Sequence, residues 1–328
     1  MSLIGTTAVT LADIAKRTDP NGKIDAIVEL LSQTNEILED MPFVEGNLPT
    51  GHKTIIRTGL PTAAWRLLNY GVPQSKSKTQ AVTDTCGMLE AYAEIDKSLA
   101  DLNGNAASFR LSEDRAFLEA MNQEMAATLF YGDTAKNPER FLGLSARYST
   151  LDKARSATAE NIIDAGGTVA NKLTSIWLIC WGDQTAHGIY PKGSKAGFEH
   201  NDKGQVTLFD PSNNKYEGYR THYKWDIGLV VRDWRYVVRI ANVDLATITD
   251  EKLIEVLIEA SELLPDQRLG RAVFYMNRRT RTKLRNAKLN KKNVELTPDN
   301  VAGKKVLSFD EIPVKRCDAI ELVEKQVV

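Results

Sequence analysis

The spacing of apolar and polar positions divides the 328-residue chain into segments of clearly different character. Over residues 24–38, Ile24, Ile27, Val28, Leu31 and Leu38 recur on one face, which predicts a helix closed off by Pro42. A longer helix is predicted over 112–131. Phe117, Met121, Met125 and Leu129 form its stripe, Ser112 is a suitable N-cap, Glu113 and Asp114 suit the positive end of the helix dipole, and Gly132 stops it. At ~1.5 Å per residue this rod is about 30 Å long. A third helix is predicted over 250–264, capped by Thr249, buried along Leu253, Leu257, Ala260 and Leu264, and ended by Pro265.

Between these helices the period changes. The unbroken apolar run over 175–181 predicts a buried strand. Across 182–218, Gly, Pro, Asn and Asp predict loops and short strands. Over 228–243, Tyr236, Val238 and Ile240 alternate with Arg235, Val237 and Arg239, as expected of a strand with one apolar and one partly basic face. Near the end, 272–276 reads as a short strand and Asn277 as the cap of a basic helix running to about 289. A polar loop over 294–305 is then expected, followed by strand-like segments at 306–309 and 312–320.

Residues 46–94 behave differently. Pro49, Gly51, Gly59, Pro61, Gly71 and Pro73 punctuate short runs, and the polar stretch 73–80 is expected at the tip of a long projecting hairpin. A projecting hairpin cannot bury its own apolar faces, so Trp65, Leu67, Leu68 and Tyr70 require a neighbouring chain or domain to cover them.

Composition narrows the function. Basic and acidic residues nearly cancel, 42 against 43, which weighs against a dedicated nucleic-acid binder. Cys86, Cys180 and Cys317 lack metal-ligand or redox spacing and read as reduced thiols. No signal peptide is expected, and no apolar run approaches the ~20 residues of a membrane span. His52, His187, His200 and His222 are scattered, and no phosphate loop, dinucleotide fingerprint or nucleophile elbow occurs. Ser75 and Lys78 stand at the spacing of a catalytic Ser–Lys pair but read as a solvated tip. No catalytic, cofactor-binding or metal-ligating residue is therefore assigned, and the chain reads as a non-enzyme. One charge run stands out. Over 271–292 there are nine basic residues and no acidic one: Arg271, Arg278, Arg279, Arg281, Lys283, Arg285, Lys288, Lys291 and Lys292. It reads first as a surface meeting carboxylates, on an adjacent subunit for example, and second as a phosphate contact.

The stretch Arg271-Ala272-Val273-Phe274-Tyr275-Met276-Asn277-Arg278-Arg279-Thr280, with Leu284, resembles a strand-to-helix unit of tailed-bacteriophage major capsid proteins of the Hong Kong 97 type. Gly303 to Val306 and Ile312-Pro313-Val314 are similar to that family's closing strand region. Blocks at 137–144, 175–194 and 228–242 add to the likeness.

The resemblance implies an α+β capsid fold. Its parts would be an N-terminal arm and helix (1–45), an E-loop hairpin with flanking P-domain strands (46–95), a P-domain spine helix (96–136), a β-rich P/A region (137–245) and an A-domain layer with closing strands (246–328). It also implies self-assembly as pentamers and hexamers into the icosahedral head of a double-stranded DNA phage, in the host bacterial cytoplasm, as a virion component. Trp65, Arg66, Leu68, Lys76, Lys78, Arg278, Arg279 and Arg281 are then expected at subunit interfaces. A separate scaffolding protein, a portal, a possible decoration protein and nonspecifically touched DNA are the expected partners, without membrane or cofactor. An encapsulin-type shell, or a DNA-binding protein using the helix at 277–292, are the alternative readings.

Overall fold

A computed structural model describes residues 33–102, 106–195, 197–290, 296–301 and 304–328. In chain order it begins with α1 (Ile37–Asp40), β1 (Phe43–Glu45), β2 (Gly51–Gly59), β3 (Lys78–Asp96), α2 (Lys97–Asp101), α3 (Ala106–Tyr131) and α4 (Leu144–Arg147). The middle comprises β4 (Ile162–Asp164), β5 (Leu173–Trp181), β6 (Ala186–Tyr190), β7 (Phe198–Phe209), β8 (Lys215–Val231) and β9 (Val237–Asp244). The last part holds α5 (Asp250–Glu262), β10 (Arg271–Met276), α6 (Arg278–Asn290), β11 (Leu296–Val301), β12 (Lys304–Phe309) and β13 (Ile312–Arg316).

β5 organises the molecule. All nine of its residues are buried, as a strand covered on both faces requires. Trp177, Ile179 and Trp181 enter one core, beneath Met125, Leu129 and Phe130 of α3. Ile176, Leu178 and Cys180 enter a second, under Leu253, Val256, Leu257 and Ala260 of α5 and Leu284 of α6. β9 and β10 flank β5 antiparallel and alternate between the same two cores, and β10 continues to β13 in parallel. Beyond the single β5–β6 pair, Trp181 with Ala186, the sheet runs on through β8 and β3 to β2. A thirteen-stranded sheet thus joins the α/β layer to an antiparallel extension.

Several expectations need correction. α3 starts at Ala106, so Ser112 lies inside it rather than capping it. Burial of Phe109 against Ile95 and Ala100 rewards helix in that earlier stretch. The expected strand over 228–243 is two strands. Asp233 accepts from Arg235 N and caps a single tight turn, after which the chain re-enters the sheet beside β5. Both faces of β9 are buried, so its basic face does not meet solvent. Loops and short strands do not dominate 182–218, because β7 and β8 pair as a long hairpin. The expected polar loop over 294–305 contains β11 and the start of β12, paired from Leu296–Phe309 to Val301–Lys304. The closing strand ends at Arg316 rather than 320. Of the helix expected over 24–38, residues up to 32 lie outside the described residues, and the described part is the short α1.

Candidate interaction surface

β3 changes partner halfway along. Residues from Cys86 onward pair with β8 inside the sheet, whereas 78–85 pair only with β2. The outer half is therefore a two-stranded ribbon, an arrangement of little stability in isolation. Its root is tight: a Cβ added to Gly51 would collide with the Asp84 carbonyl oxygen, so only glycine lets the strands close there. Asn47 braces β2 from the side, its Oδ1 accepting from Lys53 N at 2.7 Å and its Nδ2 donating to Lys53 O at 2.8 Å.

The ribbon ends in a loop over 60–77, tied by Ser75 Oγ donating to Thr62 O at 2.8 Å. This loop is broader than the tip expected at 73–80, since Lys78 to Gln80 already belong to β3. Sequence polarity marked only half of it, because the other half is apolar. Leu60, Trp65, Leu67, Leu68, Tyr70 and Val72 are all exposed, Trp65 completely at 105%. Arg66 and Lys76 share the loop, and Lys78 sits opposite Gly59 in the first strand pair. Between Glu45 and Asp84 the chain has no carboxylate, but Lys53, Arg57, Arg66, Lys76 and Lys78 are basic. The result is an apolar, cationic finger.

At its root lies a buried polar cluster that sequence reading did not find. Asp84 accepts from Arg147 at 2.7 Å, with both side chains nearly out of solvent, and Arg147 also donates to the Leu229 carbonyl. Arg232 lies 3.3 Å from His52 Nε2, and His187 meets the His52 ring edge-on with centroids 6.1 Å apart. Burial, followed by the Arg232 charge, lowers the His187 pKa to about 4. The same two causes lower that of His52. These partners lie on separate elements, so no local spacing announces them.

The basic run is compensated by distant residues. Arg271 pairs with Asp40, Arg278 with Asp318 at 2.8 Å, and Lys283 Nζ donates to the Leu245 and Ile248 carbonyls. Arg281 is half buried, with Glu36, Arg285 and Arg316 facing it, and burial lowers its pKa. Arg279 is exposed. Asp318, held by Arg316 and Arg278, has its pKa depressed to about 2 despite the opposing effect of burial. Carboxylates of the same chain thus meet part of a run that looked bare. The finger residues Trp65, Arg66, Leu68 and Lys76 cluster together, on an element distinct from the α6 residues Arg278, Arg279 and Arg281.

A second buried network holds the C-terminal segment. Arg239 donates to Glu324 at 2.8 Å, to Ser175 Oγ and to the Tyr148 carbonyl, and stacks over Trp177. Glu324 also accepts from Tyr131 at 2.6 Å and from Ser175 at 2.5 Å. Each oxygen of this carboxylate is satisfied, as burial demands.

Comparison with known proteins bears on this arrangement. Residues 19–328 match the family described as Major capsid protein GP7. A chain of the solved bacteriophage Epsilon15 structure is 36% identical, with 100% of this chain and 99% of that one covered, at a TM-score of 0.75. The bacteriophage JBD30 capsid structure matches over 88% of this chain and 91% of its own, at 10% identity and a TM-score of 0.50, a likeness of fold. No curated protein sequence matches the chain.

Proposed function

The chain belongs to the family of Major capsid protein GP7, and on that premise we propose that its projecting finger laps over a neighbouring copy to build a closed shell from rings of five and six. It is the major capsid protein of a tailed-phage head, a structural component of the virion. The single observation that carries the finer reading is the loop over 60–77, whose apolar side chains no other described residue covers. An exposed apolar patch of that kind marks an interaction site.

Residues 46–95 act as the E-loop with its flanking strands, 96–136 as the spine, 137–245 as the β-rich joining region and 246–328 as the axial layer. Trp65, Arg66, Leu68, Lys76 and Lys78 serve the overlap. Arg279, with the outer sides of Arg278 and Arg281, serves contacts between axial layers. Each contact is modest, and many per subunit make the closed shell stable. Scaffolding and portal proteins, and a decoration protein, complete the head. Packaged DNA is touched nonspecifically, and only secondarily by α6, because Arg278 and Lys283 are engaged within the chain.

Electron microscopy of the protein coexpressed with a scaffolding partner tests this. Closed shells are expected. A monodisperse monomer under those conditions overturns the assembly reading.

A further inference from the structure

Where β3 passes beneath the C-terminal half of α3, Met88, Leu89, Met125, Phe141 and Ile227 line an apolar recess of about 200 Å³. Phe141, Met125 and Ile227 are buried at its floor, while Met88 is 72% exposed at its mouth. Two methionines give it an adaptable wall suited to an aromatic guest. At ~30 Å³ per water it has room for roughly seven waters, or one large aromatic side chain. Its rim carries Glu124, Glu139 and Arg140. Arg140 is paired with Glu124 at 2.7 Å, whereas Glu139 is exposed and makes no ion pair among the described residues.

We infer that this recess is the socket for Trp65 of a second copy, with Arg66 of that copy paired to Glu139. The inference rests on the shell reading above and names the acceptor site for the finger.

Chemistry and reach both select this occupant. The finger is apolar and carries no carboxylate, and the socket is apolar with one unpaired carboxylate on its rim. The finger of the same chain cannot fill it. Lys78, at the ribbon's outer end, is ten residues from Met88 along one strand, or about 34 Å at ~3.4 Å per residue. From Gly59, opposite Lys78, to Trp65 the chain spans six residues, at most ~20 Å. Trp65 therefore falls short of its own socket while the ribbon stays extended. A tip that fits only the root of another copy makes a head-to-tail contact, and such contacts close into rings when the rotation allows.

The double variant Trp65→Cys with Met88→Cys tests the socket, in a background where the nearby Cys86 is replaced by serine. Treatment of assembled shells with a short bis-maleimide is expected to give a ladder of covalent dimers and higher multimers, absent from either single variant. Shells that form normally yet give no ladder overturn the socket and leave the shell reading intact. A wild-type chain that makes no shells overturns the shell reading itself. Cross-linking from position 88 to a different polypeptide also overturns the proposal, in favour of that partner. Should the double variant not assemble, charge reversal decides. Arg66→Glu is expected to lower shell yield sharply, because the loss recurs at every copy of the contact, and Arg66→Glu with Glu139→Arg to restore it. Equal yields for both variants and the wild type overturn the pairing.

Discussion

At the scale of single residues, the consequential side chains are charged groups removed from water. Arg239 and Glu324 are only 4% and 5% exposed, so removing one partner strands a buried charge. Glu324→Ala is expected to cost about 3–5 kcal/mol in urea unfolding. Replacing both residues with methionine should cost less than the single change, because no lone charge remains. A full loss in the double variant would show that the pair's hydrogen bonds, rather than its charge balance, hold the C-terminal segment. His187 brings a pH dependence. Its folded pKa, about 4, lies below the ordinary 6.5, so between those values the unfolded chain binds more protons than the folded one. Stability present above pH 6.5 is therefore lost as pH falls toward 4, by up to ~1.4 kcal/mol per pH unit. Urea midpoints at pH 7 and pH 5 should differ for the wild type and differ less for His187→Gln. Equal differences would remove His187 as the cause.

At the scale of elements, the finger separates folding from assembly. The ribbon leaves the body where β3 exchanges β2 for β8, and both cores lie behind that point. Deleting residues 63–74, between the two ends joined by Ser75 and Thr62, should leave the far-ultraviolet spectrum and urea midpoint of the subunit unchanged while abolishing shells. Normal shells from that deletion would refute the finger's role. α3 shows the opposite coupling. Apart from Phe109, its buried side chains lie in the second half, where Met125, Leu129 and Phe130 join the body's core and Met121 packs with Ala93 and Tyr223.

At the scale of the whole molecule, covering the finger should change its accessibility. Arg66 and Lys76 are trypsin sites in an exposed loop. Free subunits should be nicked first within 60–77, and assembled shells should resist at the same enzyme concentration. Equal nicking rates in both forms would mean that the loop stays bare in the shell. The near-zero net charge of −1 removes the self-repulsion that otherwise opposes packing many copies together.

The sequence by itself determined whatever depends on neighbours a few residues away. The apolar run of β5, the Thr249 cap and stripe of α5, and the Asn277 turn from β10 into α6 were all legible, because period and capping are local properties. The exposure of Trp65 and Leu68 was legible too, since a projecting hairpin cannot bury its own apolar faces. Tertiary structure alone decided the rest. The start of α3 moved because Phe109 packs on Ile95, and Arg239 became a buried partner of Glu324 because β9 lies between two cores. The basic run lost its bareness once folding brought Asp40 and Asp318 to it. Charge balance and burial depend on contacts between residues far apart in the chain, and no local pattern encodes those contacts.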